Sequence, residues 1–294
     1  MRQRLISAAV LVPVVAFVFL VGQPWLSVGI GLLGVMAAWE TARLVHLAGL
    51  PAFRWLAISA PVLGVLAFET ILRPGGIELG WLLIPPALAI WSIAAAAPAL
   101  ANPDPRNGFL VWVGTVFAGL FPALISFLAG IAVWGYGGVL PGESDHQTLF
   151  NLDLGRHWLL VLIATVWTFD SFAYLSGKFF GRGRFMYHIS PAKTWSGVIG
   201  GTIAAMVVCG ALFVITGLNP LWGGVLGIAL ALSGQAGDLA ESMLKRAAAV
   251  KDSGRILPGH GGFLDRVDSF LFAAPTLYAA VTIAALLQIG GGTP

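Results

Sequence analysis

Long stretches of this chain carry no charge at all, and nothing else limits its fold as much. Residues 5–39 contain none, and neither do the 44 residues from 194 to 237. In an average soluble domain about a quarter of the residues are charged. Here 10% of 294 residues are charged, 58% are hydrophobic and the mean hydropathy is +0.89. Too few charges remain to cover a water-soluble globule of this length. That excludes an ordinary soluble enzyme, a disordered chain and a disulfide scaffold. Backbone in hydrocarbon must satisfy its own hydrogen bonds, so the expected fold class is all-α, a polytopic integral membrane protein. The 38 glycines and 17 prolines fit, because both are more frequent in membrane helices than in soluble ones.

A crossing takes about 20 apolar residues. Residues 5–39 are therefore too long for one helix, and Gly22-Gln23-Pro24 divides them; Gly217-Leu218-Asn219-Pro220 divides the later run. Nine spans are expected, near 5–21, 25–46, 55–72, 79–100, 109–134, 157–177, 196–216, 221–244 and 269–290. Arg2 and Arg4 ahead of an apolar stretch resemble a signal peptide. The stretch is longer than a typical h-region, however, and no small-x-small cleavage site follows, so it is read as the first span. With the N-terminus in the cytoplasm, the inner segments hold Arg2, Arg4, Arg43, Arg54, Arg106, Lys178, Arg182, Arg184, Lys193, Lys245, Arg246, Lys251, Arg255 and Arg266, and the outer ones only Arg73 and Arg156. This asymmetry predicts a cytoplasmic N-terminus, an odd number of spans and a C-terminus outside.

Residues 1–156 then read as about five spans forming a scaffold and lipid cavity, and residues 157–294 as about four catalytic spans with cytoplasmic loops 178–195 and 245–268. Those two loops hold nine of the sixteen cations, so chemistry is expected at the cytoplasmic face. The net charge of +3 does not argue for nucleic acid, since no basic run exceeds Lys245-Arg246. Cys209 is the single cysteine and has no intrachain partner. The acids Glu143, Asp145 and Asp153 of the outer loop read as solvated charges, and Glu40 as structural or facing lipid headgroups.

The C-terminal third carries the chemistry. Asp238, Glu241, Ser242 and Lys245 are spaced i, i+3, i+4, i+7, one face of a helix. An acid within a span costs about 2.5–3.5 kcal/mol on insertion scales, so it is usually retained for a purpose. Asp265 and Asp268, i and i+3 at the entrance of the last span, repel each other unless a cation lies between them. Hard oxygen donors without cysteine favour Mg²⁺ over Zn²⁺. The neighbouring Lys245, Arg246, Lys251, Arg255 and Arg266 suit polyphosphate oxygens, and Asp252 and His260 lie in the same loop. Carboxylates for Mg²⁺ beside clustered cations are what phosphoryl or nucleotidyl transfer requires. The bland alternative is a positive-inside loop with acids at a helix start. Asp170, on the inner half of the sixth span, is expected to face the same cavity as Asp238. Ser190, Lys193 and Thr194 precede the seventh span, where they would hold phosphate or simply cap the helix. No P-loop and no H-E-x-x-H motif occurs.

The run Ser242-x-Leu244-Lys245-Arg246, then Lys251-Asp252-x-Gly254, then Leu257-Pro258-x-His260-Gly261-Gly262-Phe263-Leu264-Asp265-Arg266-Val267-Asp268 resembles the full signature of the phosphatidate cytidylyltransferases, or CDP-diacylglycerol synthases. Asp170-x-x-Ala173-Tyr174-x-x-Gly177-Lys178-x-x-Gly181 and Ser190-Pro191-x-Lys193-Thr194-Trp195 are similar to two further motifs of that family. Ala192 and Ser196 stand where the family motif has a lysine and a glutamate. The resemblance implies transfer of the cytidylyl group of CTP to phosphatidate with Mg²⁺, and leaves a second metal open. It implies metal ligation by Asp238, Asp265 and Asp268, and catalytic roles for these with Asp170 and Lys245. Ser190, Lys193, Thr194, Ser242, Arg246, Lys251, Asp252, His260 and Arg266 would bind substrate. It implies a plasma (inner) membrane location with the site facing the cytoplasm. Membrane lipid is the surrounding partner, nucleic acid is not one, and a homodimer is open. The rivals are a CTP-dependent polyprenol kinase, which the complete signature opposes, and a transporter, which would place its polar residues near mid-membrane.

Overall fold

The computed structural model describes residues 2–71, 87, 89–133, 149–181, 183–254, 256 and 261–286. Among the described residues every element is helical: α1 (Arg2–Val21), α2 (Trp25–Leu47), α3 (Arg54–Ala57), α4 (Ser59–Ile71), α5 (Ala97–Leu100), α6 (Pro105–Ala123), α7 (Phe127–Ala132), α8 (Leu154–Phe180), α9 (Trp195–Ile215), α10 (Pro220–Ala247) and α11 (Leu264–Leu286). Five helical stretches are long and apolar enough to cross a bilayer: Trp25–Leu47, Pro105–Ala132, Leu154–Phe180, Trp195–Ile215 and Leu264–Ala284. The chain is therefore a helical membrane protein.

Three of the expected spans differ in detail, the last by beginning at Leu264 and not at 269. The stretch 55–72 is not one helix but α3 and α4, broken at Ile58. The fifth starts earlier than 109, at Pro105, because the Asp104 carboxylate accepts from Arg106 N at 3.0 Å and Pro105 needs no donor there. It narrows to a 3₁₀ turn at Leu124–Ser126 just after Pro122, which has no N–H to continue the α ladder. Of the expected span 79–100, the described part is the apolar helical stretch Ala89–Leu100.

Helices α8 to α11 pack in sequence order, each against the next. Side-chain caps start them: Asp153 accepts from Arg156 N at 2.9 Å, Thr194 from Gly197 N at 3.1 Å and Asn219 from Leu221 N at 2.9 Å. Small residues let the axes approach. A Cβ on Gly201 of α9 would lie 2.7 Å from the Phe169 carbonyl oxygen of α8. The largest core cluster draws on both halves of the chain, with Phe68, Ile131, Leu162, Phe213, Leu230 and Leu277. A second cluster, Ala37, Leu44, Phe121, Ile125, Ala248, Leu264, Val267 and Leu271, seats the start of α11 against α2 and the end of α10.

Candidate functional site

Helix α8 ends on Gly181, whose left-handed φ of 38° turns the chain out of the helix. The loop doubles back: Phe185 N donates to Lys193 O at 2.9 Å and Trp195 N to Gly183 O at 3.0 Å. This return carries Lys193 to α10. Its ammonium lies 2.5 Å from Asp238 Oδ2, and both side chains are half-buried. Ser242 Oγ donates to Asp238 Oδ1 at 3.4 Å, one turn along the same helix.

Asp238 is the electrostatic centre of the site. Asp170 of α8 lies in the field of Asp238 and of Lys193. Asp268 of α11 lies in the field of Asp238 and of Lys245. Three helices thus place Asp170 and Asp268 each within the field of Asp238, which lies on the i, i+3, i+4, i+7 face of α10. Lys245, on that face, is held between two carboxylates at 2.7 Å each, Glu241 Oε2 and Asp265 Oδ1. Glu241 is fully buried, so Lys245 neutralises acids rather than standing free for a ligand.

Asp265 is drawn into the loop before α11. Its Oδ2 accepts from Ser253 N at 2.9 Å, Ser253 Oγ at 2.8 Å and Gly262 N at 2.8 Å, while Oδ1 takes Lys245. These four bonds fold the loop. They also occupy both oxygens of Asp265, which was grouped with Asp238 and Asp268 as a metal ligand.

Of the two roles expected for Glu40, structural or facing lipid headgroups, the structural one holds. Glu40 does not face lipid headgroups: it is 2% exposed, reaching from α2 into the same loop. Its carboxylate accepts from Phe263 N at 3.1 Å and Leu264 N at 2.9 Å, and lies 2.9 Å from Ser253 Oγ, whose one proton it shares with Asp265. It therefore supplies from another helix the N-terminal cap that α11 lacks in its own sequence. Its partners lie 213 to 224 residues away along the chain, so no local pattern announces it.

Thr194 caps α9, the simpler of its two expected roles. Ser190 lies half-buried in the same return, where its backbone N–H donates to Met186 O at 2.9 Å. Arg246, exposed, donates from Nε to Ile189 O at 3.2 Å and so ties α10 to the 183–195 loop. Lys251, Asp252 and Arg266 are exposed. His260 lies outside the described residues.

Among the described residues no three His, Cys, Asp or Glu side chains are gathered tightly enough to hold a metal ion as they stand. The donor chemistry nonetheless fits Mg²⁺. That ion is usually bound by one or two carboxylates together with substrate phosphates, not by a closed protein cage. Asp238 and Asp268 are such a pair, hard oxygens within each other's field.

The profile of the Cytidylyltransferase family matches residues 2–284. The phosphatidate cytidylyltransferase of Haemophilus influenzae is 33% identical over 295 residues, covering 94% of this chain and 96% of that one. That of Brucella abortus is 39% identical over 179 residues, 58% of this chain and 66% of its own. That of Staphylococcus aureus is 48% identical over 125 residues, 42% of this chain and 48% of its own.

Proposed function

The chain belongs to the cytidylyltransferase family, and from that premise we infer that it transfers the cytidylyl group of CTP to phosphatidate, forming CDP-diacylglycerol and releasing pyrophosphate. The full-length similarity to a phosphatidate cytidylyltransferase carries this reading. The convergence of Asp170, Asp238 and Asp268 with Lys193 and Lys245 supports it.

A phosphate oxygen of phosphatidate attacks the α-phosphorus of CTP. The bond from that phosphorus to the β-phosphate oxygen breaks, and pyrophosphate leaves. Asp238 and Asp268 would hold Mg²⁺, which when bound neutralises charge on the reacting phosphoryl group and its leaving group. Asp170 positions the lipid phosphate or takes its remaining proton. Lys193 holds Asp238 in place and neutralises it until substrate arrives. Lys245 sits between Glu241 and Asp265 and keeps the buried acid charge-compensated. Arg246, Lys251 and Arg266 attract phosphate at the entrance, with Ser190, Thr194, Ser242, Asp252 and His260 as neighbouring polar contacts. We place this face in the cytoplasm and the chain in the plasma (inner) membrane, with nine crossings, the N-terminus inside and the C-terminus outside. The distribution of cations supports that arrangement.

The test is the purified protein in liposomes with phosphatidate, Mg²⁺ and CTP labelled separately on its α- and γ-phosphates. Alpha label in lipid with release of pyrophosphate is expected, and chelation of Mg²⁺ should abolish it. Gamma label in lipid with CDP left behind would make the protein a lipid kinase instead.

A further inference from the structure

Arg43 follows Glu40 by three residues on α2, so the two share a helix face. Glu40 is locked to the loop before α11, and this brings Arg43 over that loop, with Nη1 3.5 Å from Ser253 O. Beside it opens a cavity of about 270 Å³ lined by Arg43, Val250, Lys251, Asp252 and Gly254. Neither Arg43 nor Lys251 enters an ion pair among the described residues. Arg43 of α2 and Lys251 of the loop thus line one concave space, with Asp252 the acid among its described lining residues.

We propose that this cavity receives the β- and γ-phosphates of CTP and holds them as pyrophosphate until release, with Arg43 as a direct phosphate contact. The proposal rests on the cytidylyl-transfer reading and adds to it a residue from the N-terminal half. Three observations carry it. The guanidinium fork matches phosphate oxygens bidentately, and Lys251 supplies the second charge. Lys251 and Asp252 are exposed, so the cavity opens to water, into which a pyrophosphate must leave. The loop that forms the wall is bonded to the reacting centre through Ser253, Asp265 and Lys245 in succession. Among the described lining residues, Arg43 and Lys251 against Asp252 leave a net charge of +1, which attracts a polyphosphate.

The experiment compares the wild type with Arg43→Ala, Arg43→Lys and Lys251→Ala in detergent micelles containing phosphatidate. It reads the KM for CTP, the KM for phosphatidate and inhibition by inorganic pyrophosphate. Arg43→Ala and Lys251→Ala should each raise the KM for CTP and the pyrophosphate inhibition constant by about tenfold, with the KM for phosphatidate held within about twofold. Arg43→Lys should recover part of the loss, because it keeps the charge without the fork. Unchanged pyrophosphate inhibition in both alanine variants overturns the proposal. So does a change confined to phosphatidate, which would assign the cavity to the lipid headgroup. Should Arg43→Ala not fold, the exposed Lys251→Ala decides alone. If the wild type transfers no α label, the proposed function fails. Pyrophosphate-induced thermal shift of the wild type against Lys251→Ala then still decides the cavity.

Discussion

At the scale of single residues, the site depends on carboxylates that hold structure as much as on those that face substrate. Glu40 is the clearest case. Glu40→Gln keeps the shape, but its amide nitrogen must meet either Phe263 N–H or Leu264 N–H, both donors. An unsatisfied buried donor costs about 1–3 kcal/mol, so the detergent-solubilised variant should melt at lower temperature and lose activity in proportion. A melting temperature equal to that of the wild type would remove Glu40 from this role. Lys193 should behave differently. Its pairing with Asp238 is half-buried, so Lys193→Ala should cost little stability while lowering kcat by about 100-fold, the size expected for losing one charge beside a reacting group. Lys193→Arg should recover part of the rate. Thr194→Ala is the contrast: loss of the cap costs about 1 kcal/mol of stability, with a smaller effect on kcat than Lys193→Ala.

At the scale of elements, the site exists because α10 and α11 approach closely where their acids lie. Gly237, next to Asp238, has no room for a side chain: its Cβ would fall 2.3 Å from the Asp268 carbonyl oxygen. Gly237→Ala must push α11 away from α10 and carry Asp268 with it. Activity should fall at least about tenfold even in protein that remains folded, since misplacement by an ångström is enough for such losses. Gly224→Ala, on the same helix, meets only Met206 Cγ at 3.4 Å, a flexible side chain, and should keep activity near wild type. Equal activities in the two variants would mean that the approach at Gly237 does not set the site. The same elements explain what could be read in advance. The charge-free runs and the i, i+3, i+4, i+7 acids exposed the helices and the α10 face, because both are local patterns. The cap supplied by Glu40 and the cavity wall supplied by Arg43 were hidden, because α2 meets the 250–264 loop only in three dimensions. The split of the third expected span at Ile58 was hidden too.

At the scale of the molecule, the arrangement of crossings decides whether these residues work from one side of the membrane. If α8 and α10 run outside to inside, as the cation distribution predicts, the expected spans end at residues 177 and 244. Asp170 precedes the first of these ends by seven residues and Asp238 precedes the second by six. At about 1.5 Å of rise per residue, both acids lie roughly 10 Å inside the inner edge, at matching depth. Two parallel helices at equal depth bring them into one field, as observed. The arrangement can be tested without reference to activity. Cys209 is fully buried at the contact of α9 and α10, and Cys209→Ala gives a background with no thiol. Phe150 is 85% exposed ahead of α8, and Ala247 is exposed at the end of α10. Single cysteines at these two positions are separated by α8, α9 and α10. If each of the three crosses the membrane, a membrane-impermeant maleimide should label position 150 in right-side-out vesicles and position 247 in inverted ones. Labelling of both from one side would mean that one of the three helices does not cross. The acids of α8 and α10 would then no longer lie at matching depth, and a site open to CTP from the cytoplasm would need a different path.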